Sequence, residues 1–184
     1  MPLALVPRAC AKRRVAAVLL DYVVILGWMA LLGLGSVVLA VLSGGYPDVL
    51  GALGPVGAQA VFFLLLTLPV GLYLYLSESS SAQASWGKRR LGLLVTTTAG
   101  HRPSRGEVAV RTVVKLLPWE VAHTFVWQMQ AVFYRDGYDA DVPVWILVGL
   151  NAVLAAIVVY LAMSLLGGRR GPHDRAASTI VTAS

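Results

Sequence analysis

The chain has 184 residues, of which 58% are hydrophobic and only 13% are charged, and its formal net charge is +6. Because a soluble domain usually carries about 25% charged residues, this composition excludes an ordinary soluble domain and indicates an integral membrane protein. The length predicts one domain over residues 1–184. The single cysteine, Cys10, excludes an intramolecular disulfide and a zinc site of the CxxC type.

A basic cluster at the start of the chain precedes a long apolar stretch. Arg13 and Arg14 lead into residues 15–42, in which Asp21 is the one charged residue. At about 1.5 Å per residue this stretch can cross a hydrocarbon core of roughly 30 Å even when tilted. It is far longer than the apolar region of a cleaved signal peptide, so we interpret it as a retained first span.

The next segments predict a loop, a second span and a polar excursion. Residues 43–57 are rich in Gly and Pro and predict a loop. Residues 58–76 predict a second span, which Pro69 should kink because its ring removes a helix hydrogen bond. In the polar segment 77–103, the β-branched residues 95–98 and the turn signal that follows them predict a short hairpin or an extended excursion.

Residues 108–132 predict a third helix that is unusually polar. Ser104 and Glu107 fit a capping box at its start, and Glu107 and Arg111 form an i,i+4 pair in the favoured order. This helix either crosses the membrane as a polar span or lies in the interface. Among its apolar residues stand Arg111, Lys115, Pro118, Glu120, His123, Gln128 and Gln130.

The end of the chain predicts a loop over residues 133–142, an uncharged fourth span over 143–166 and a tail over 167–184. With four spans and both termini cytoplasmic, 14 of the 15 Lys and Arg residues lie inside, as the positive-inside rule expects. Three spans would move the cations of the tail outside. Insertion of the polar third helix has a cost, since a charge near a helix centre costs roughly 2.5–3.5 kcal/mol. We predict an all-α transmembrane bundle of four spans.

Charged residues are expected to gather on the cytoplasmic side of this bundle. A carboxylate within the membrane must be paired, hydrated or protonated. Asp21 is therefore either a proton or cation site, or part of a structural ion pair or hydrogen-bonded cluster that fixes helix packing. The predicted ion site consists of Arg14, Asp21, Glu78, Lys88, Arg111 and Asp174.

A secondary polar site is predicted from Lys115, Glu120, His123 and His173. Glu120 and His123 are three residues apart and are neighbours on a helix, where they could relay protons, bond neighbouring helices or remain at the interface. A metal site that combines His101, His123 and His173 is not expected, because their spacings are not those of ligands. No cofactor is expected. No nucleophile, P-loop or dinucleotide motif occurs, so an enzyme is not expected.

Three motifs in order around the hydrophobic spans resemble the RDD family of small bacterial polytopic membrane proteins, which is named for one arginine and two aspartates. Arg14 is followed by Asp21 seven residues later, and a His-Asp pair, His173 and Asp174, follows the last span. The exit of the second span matches the family at Glu78, Ser79, Gln83, Gly87, Lys88, Arg89 and Gly92. The resemblance implies a multi-pass protein of the bacterial inner (plasma) membrane. Transport, including sodium–proton exchange, has been proposed for some members.

Two functional hypotheses follow from the sequence. The first is movement of a small cation or solute, with proton-coupled exchange the leading interpretation, by a homo-oligomer. Four helices rarely enclose a pathway, and Gly27, Gly33 and Gly35 allow close helix association. The alternative is a structural or assembly protein that does not transport. Anionic lipid at the cytoplasmic face is the expected lipid partner and accounts for the net charge. Nucleic acid is not an expected partner, since no basic stripe alternates with aromatic residues.

Overall fold

The computed structural model describes residues 9–165 and 170–183. Arg8, Arg169 and residue 166, where the fourth span was predicted to end, lie outside the described residues. A π-helical turn, Phe63–Thr67, separates the second and third α-helices. The helices are α1 Ala11–Ser43, α2 Val49–Phe62, α3 Leu68–Ser79, α4 Trp86–Arg90, α5 Arg105–Asp136, α6 Val144–Leu165 and α7 Pro172–Ala176, and the strands are β1 Leu93–Thr97 and β2 Thr179–Ala183.

The chain divides into two compact units. Unit 1 consists of Met1–Ile25, Val70–Leu116 and Val158–Ser184, and unit 2 consists of Leu26–Pro69 and Leu117–Ile157. Unit 1 contains 14 of the 15 Lys and Arg residues but four of the nine Asp and Glu residues. Unit 2 contains one Arg and five acidic residues. Nearly all of the positive charge therefore belongs to unit 1.

Three helical stretches of the described chain are long and apolar enough to cross a membrane. They are Ala11–Ser43, Val49–Ser79 and Val144–Ser164, and they correspond to the first, second and fourth predicted spans. The predicted all-α class is confirmed. The third predicted helix is present as α5, which is about 48 Å long at 1.5 Å per residue. Its charged residues keep it out of this apolar class, so its crossing of the membrane stays a prediction.

The predicted loop over residues 43–57 is wrong for its second half, because α2 begins at Val49. Asp48 caps this helix, and its Oδ1 accepts a hydrogen bond from the backbone N–H of Gly51 at 2.8 Å. Gly54 has a φ of 66° and lies before Pro55, so the Gly and Pro residues kink the helix here and do not end it.

The irregularity predicted at Pro69 takes the form of the π-helical turn Phe63–Thr67, which lies directly before α3. Pro69 has no N–H to donate to the carbonyl of Leu65, four residues earlier. The indole N–H of Trp28 donates to that carbonyl instead, at 2.9 Å. A polar backbone group freed within an apolar span is thus satisfied by a side chain of α1.

Of the two predicted alternatives, the hairpin is wrong and the extended segment is present as β1, while the predicted tail contains α7 and β2. β1 pairs antiparallel with β2, from Leu93 opposite Ala183 to Thr97 opposite Thr179. The backbone N–H of Ala9 donates to Val181 on β2 at 3.2 Å. The β-branched residues were a correct indication of a strand, but its partner lies more than 80 residues away and local patterns carry no such information.

The predicted capping box at the start of α5 is confirmed. Oε2 of Glu107 accepts hydrogen bonds from the backbone N–H and the hydroxyl of Ser104, at 2.7 and 2.8 Å. The predicted Glu107–Arg111 pair is wrong, because the cap occupies Glu107 and Arg111 binds other carboxylates. The helix continues to Asp136, beyond the predicted end at residue 132, and stops at Gly137, which has a φ of 91°.

Candidate functional site

Asp21 lies on α1 and is only 6% exposed, with three hydrogen-bond donors around its carboxylate. The Tyr73 hydroxyl donates to Oδ1 at 2.8 Å, and the Ser85 hydroxyl donates to Oδ2 at 2.5 Å. The backbone N–H of Gly87 also donates to Oδ1, at 2.8 Å. All three donors are neutral. Among the residues that the structure describes, no Lys, Arg or His forms an ion pair with Asp21.

Gly87 reaches Asp21 because it has no side chain. A Cβ added at Gly87 would overlap the carbonyl oxygen of Ala17 and would lie 3.0 Å from the backbone nitrogen of Asp21. Gly87 is in the first turn of α4, where a backbone N–H has no acceptor within its own helix. The carboxylate of Asp21 satisfies this N–H, so α4 is held against α1 by backbone contact.

Glu78 at the end of α3 is fully buried and is surrounded by three cations. Its Oε1 accepts from Nζ of Lys88 at 2.8 Å and from Nζ of Lys115 at 3.2 Å. Its Oε2 accepts from Nε of Arg111 at 2.8 Å. Buried carboxylates are tolerated when they are paired and hydrogen-bonded in this way.

Arg111, which is 1% exposed, connects Glu78 to the end of the chain. Its Nη1 donates to Oδ1 of Asp174 on α7 and to the Thr179 hydroxyl on β2, the latter at 3.0 Å. Nη2 of Arg14 lies 3.4 Å from the other oxygen of Asp174. Two carboxylates and two guanidinium groups therefore alternate within unit 1.

These contacts form one continuous set, which we call the charge network. Lys88 also donates to the Ser85 hydroxyl at 3.1 Å, and that hydroxyl donates to Asp21, so Asp21 is connected to the ion pairs through one serine. The network contains four cations and three carboxylates. Its members are Arg14, Asp21, Glu78, Lys88, Arg111, Lys115 and Asp174.

His173 borders the charge network from α7. Its Nδ1 lies 2.5 Å from the Tyr160 hydroxyl, and its Nε2 lies 3.7 Å from Oδ2 of Asp174. Burial lowers the pKa of His173 well below its usual value, and the positive charges of Arg111 and Lys115 lower it further. Burial alone would raise the pKa of Asp174, but the charge of Arg111, together with the other contacts of this carboxylate, including the backbone N–H of Gly171, outweighs burial and lowers this pKa to about 2.

The family model described as "RDD family" matches residues 8–178 of the chain. The chain belongs to the RDD family. No curated protein and no solved structure matches it. The three RDD motif regions named above, in α1, at the exit of α3 and in α7, come together in unit 1, where Arg14, Lys88 and Asp174 contribute to one charge network.

The structure thus brings together all six residues predicted for the ion site of this RDD family protein. The predicted secondary site is divided. Lys115 joins the charge network and His173 borders it, whereas Glu120 and His123 belong to unit 2, where Nδ1 of His123 lies 3.0 Å from Oε1 of Glu120. No group of three His, Cys, Asp or Glu residues in ranges 9–165 and 170–183 is placed to hold a metal ion.

Sequence reasoning missed the neutral donors to Asp21. In the sequence, Tyr73 near the end of the second span is typical of an interfacial aromatic residue, and Ser85 is one of several serines in a polar segment. Gly87 was noted only as part of the basic motif of the RDD family. A usable signal exists for Ser85 and Gly87, because a serine and a glycine within three residues of Lys88 offer a hydroxyl and a sterically accessible backbone N–H next to the basic motif.

His173 is expected to make the RDD protein less stable as the pH falls below about 6.5. In the unfolded chain a histidine takes up a proton near that pH, whereas buried His173 does not, so protonation favours unfolding by about 1.4 kcal/mol per pH unit. Asp174 affects stability in a different pH range. Its stabilising contribution is lost only as the pH falls through 3.8 towards about 2.

The measurement is the midpoint of thermal unfolding in detergent between about pH 7.5 and pH 5, the range in which histidine changes charge. His173→Gln should reduce the dependence of the midpoint on pH. His101→Gln, a change at an exposed loop histidine, should retain the wild-type dependence. Identical pH dependence in wild type and His173→Gln would contradict this prediction.

Proposed function

We propose that this RDD family protein moves a small cation or solute across the membrane in exchange for protons. Asp21 is the observation that carries the proposal. Its carboxyl group lies in an apolar helix long enough to span the membrane, and its three hydrogen-bond partners are neutral. A buried carboxylate without an adjacent cation is costly in lipid, which favours binding of a proton or a cation at this position.

The other two carboxylates of the charge network support this choice by contrast. Glu78 contacts three cations, and Asp174 contacts two guanidinium groups. Both are therefore neutralised by fixed protein charges, and neither needs a ligand. Asp21 differs because Ser85 separates it from Lys88. It is the carboxylate of the network whose charge state can change while the ion pairs stay intact.

The test is flux through the purified protein in liposomes that contain a pH-sensitive dye, under imposed sodium, potassium and proton gradients. Wild type should move protons in response to at least one of the cation gradients, and Asp21→Asn should lose this flux. Asp139→Asn, at an exposed loop carboxylate, is the matched control and should retain it. Flux no higher than in empty liposomes, or equal flux in Asp21→Asn, would refute the proposal.

A structural or assembly role is the second candidate, because the same contacts connect distant parts of unit 1. Arg14, Glu78, Arg111 and Asp174 join α1, α3, α5 and α7 through buried ion pairs. This role predicts that Asp21→Asn lowers the thermal midpoint, that a partner protein co-purifies and that liposomes show no flux. If Asp21→Asn is stable, purifies without a partner protein and lacks the flux that wild type shows, the result supports transport over the structural role.

We propose four spans with both termini in the cytoplasm, as expected for a protein of the bacterial inner membrane. Unit 1 contains 14 of the 15 Lys and Arg residues and both ends of the chain, in agreement with the positive-inside rule. Within unit 2, Glu120 of α5 binds Thr67, which lies inside the apolar stretch Val49–Ser79. This contact supports insertion of α5 into the membrane.

Cysteine accessibility tests this topology in a Cys10→Ala background. Gly45→Cys and Asp139→Cys should react with a membrane-impermeant maleimide added to cells with a permeabilised outer envelope. His101→Cys should react only after the inner membrane is opened. If α5 stayed on the cytoplasmic side, Asp139→Cys would be protected together with His101→Cys.

A further inference from the structure

Glu120 is a carboxyl group of unit 2 that lies outside the charge network. Oε1 of Glu120 accepts a hydrogen bond from the Thr67 hydroxyl and lies 3.0 Å from Nδ1 of His123. Its Oε2 has no hydrogen-bond partner among the described residues. Gln59 approaches the same turn of α5, and its Nε2 lies 3.3 Å from the backbone oxygen of Glu120 and 3.1 Å from the Thr124 hydroxyl.

Glu120 has no permanent cation beside it. Arg135 is the one Lys or Arg residue of unit 2, and it binds Asp136 at 2.7 Å. The groups that face Glu120 from α2 and from the π-helical turn are the neutral side chains of Gln59 and Thr67. The parts of α1 and α6 that belong to unit 2 contain no charged residue.

The other charged groups of unit 2 are far from Glu120. Arg135 is fifteen residues further along α5, which corresponds to about 22 Å at 1.5 Å per residue. Asp48 binds the hydroxyl of Tyr134 at 2.6 Å and therefore lies near that same end of α5. Lys115, five residues before Glu120 on α5, binds Glu78 at 3.2 Å. The charge of Glu120 is consequently balanced either by a proton on its own carboxyl group or by a proton on His123.

The position of Glu120 favours a Glu120–His123 pair that holds one proton and carries no net charge. Thr67 closes a π-helical turn twelve residues before the end of the apolar stretch Val49–Ser79, so it lies deep within that stretch. Isolated π-helical turns of this kind are often found at functional sites. A pair that holds one proton has no net charge. The inference rests on the proposed insertion of α5 into the membrane, whose low dielectric constant favours the uncharged state.

We propose that Glu120 and His123 form a proton-binding site in unit 2, in which one proton is shared between the carboxyl and the imidazole. The carboxyl carries the proton in one arrangement, and the imidazole carries it in the other. Loss of the proton leaves a negative charge beside neutral side chains, and uptake of a second proton leaves a positive charge. The proposal does not depend on whether Asp21 takes part in transport.

A lipid-soluble carbodiimide tests the site, because it modifies protonated carboxyl groups within membranes and leaves ionised ones unmodified. Peptide mass spectrometry of the intact protein in lipid vesicles should find Glu120 modified, more at pH 6 than at pH 8.5. Glu78, which three cations keep ionised, is the internal control and should remain unmodified. Exposed Asp139 should react only with a water-soluble carbodiimide.

Two substitutions separate a shared proton from an ordinary buried acid. His123→Gln removes the second position for the proton, so modification of Glu120 should rise by about twofold if the two arrangements are equally populated. His101→Gln, at an exposed loop histidine, should leave the modification unchanged. The proposal is overturned if wild-type Glu120 stays unmodified throughout this pH range, or if its modification is the same in His123→Gln.

Discussion

Arg111→Ala should destabilise the protein more than any other single change considered, and little folded protein should be recovered in detergent. The guanidinium group is 1% exposed and contacts two carboxylates, Glu78 and Asp174, that are themselves buried. Removal of one partner from a buried ion pair typically costs about 3–5 kcal/mol, because the remaining charge is left without compensation. Arg111 is the partner of two such charges.

Arg105→Ala is the matched control, because it removes the same side chain from an exposed position in the first turn of α5. Its effect should stay within about 0.5 kcal/mol, as for most surface substitutions. Arg111→Lys retains the charge but cannot reproduce the fork that contacts both carboxylates, so it should rescue stability only in part. If Arg111→Ala unfolded within a few degrees of wild type, the charge network would not hold unit 1 together.

Gly87→Ala should damage the Asp21 site although it adds only a methyl group. The new Cβ would overlap the carbonyl oxygen of Ala17, and a backbone atom cannot rotate away as a flexible side chain can. Either α4 moves away from α1, or Asp21 loses the N–H of Gly87 as a donor. Overpacking of this kind typically costs about 1–3 kcal/mol, and the proton flux assigned to Asp21 should fall with it.

Gly33→Ala provides the comparison within α1. A Cβ at that position meets no atom within 4 Å, and alanine favours a helix by up to about 1 kcal/mol relative to glycine. This variant should therefore be at least as stable as wild type in detergent. The measurements are the thermal midpoint in detergent and the flux in liposomes. Equal behaviour of Gly87→Ala and Gly33→Ala would show that the approach of α4 to α1 does not determine the geometry of the Asp21 site.

Local features of the sequence predicted local features of the structure. The apolar runs predicted three helices that are long enough to span a membrane, and Ser104 and Glu107 predicted a cap that the structure contains. The charged residues of the predicted ion site were correctly expected to meet, because the predicted topology placed them all on one side. Each of these inferences needs only hydropathy, spacing within one helix or the distribution of charge.

Pairing between distant segments could not be predicted. Arg14 and Asp21 are two turns apart on one helix, yet Arg14 binds Asp174 and Asp21 binds neutral donors. The partner of β1 follows the last span. These pairings depend on how helices far apart in the chain approach one another. The periodicity of a single segment gives no information about that approach.

The order in which the chain is synthesised determines when the contacts of Arg111 can form. Asp174 and Thr179, which complete the contacts of Arg111, belong to α7 and β2 and leave the ribosome after all three apolar spans. Until they arrive, the newly inserted helices hold Arg14 and Arg111 without Asp174. Unit 1 can therefore complete the contacts of Arg111 only after the last apolar span has been synthesised.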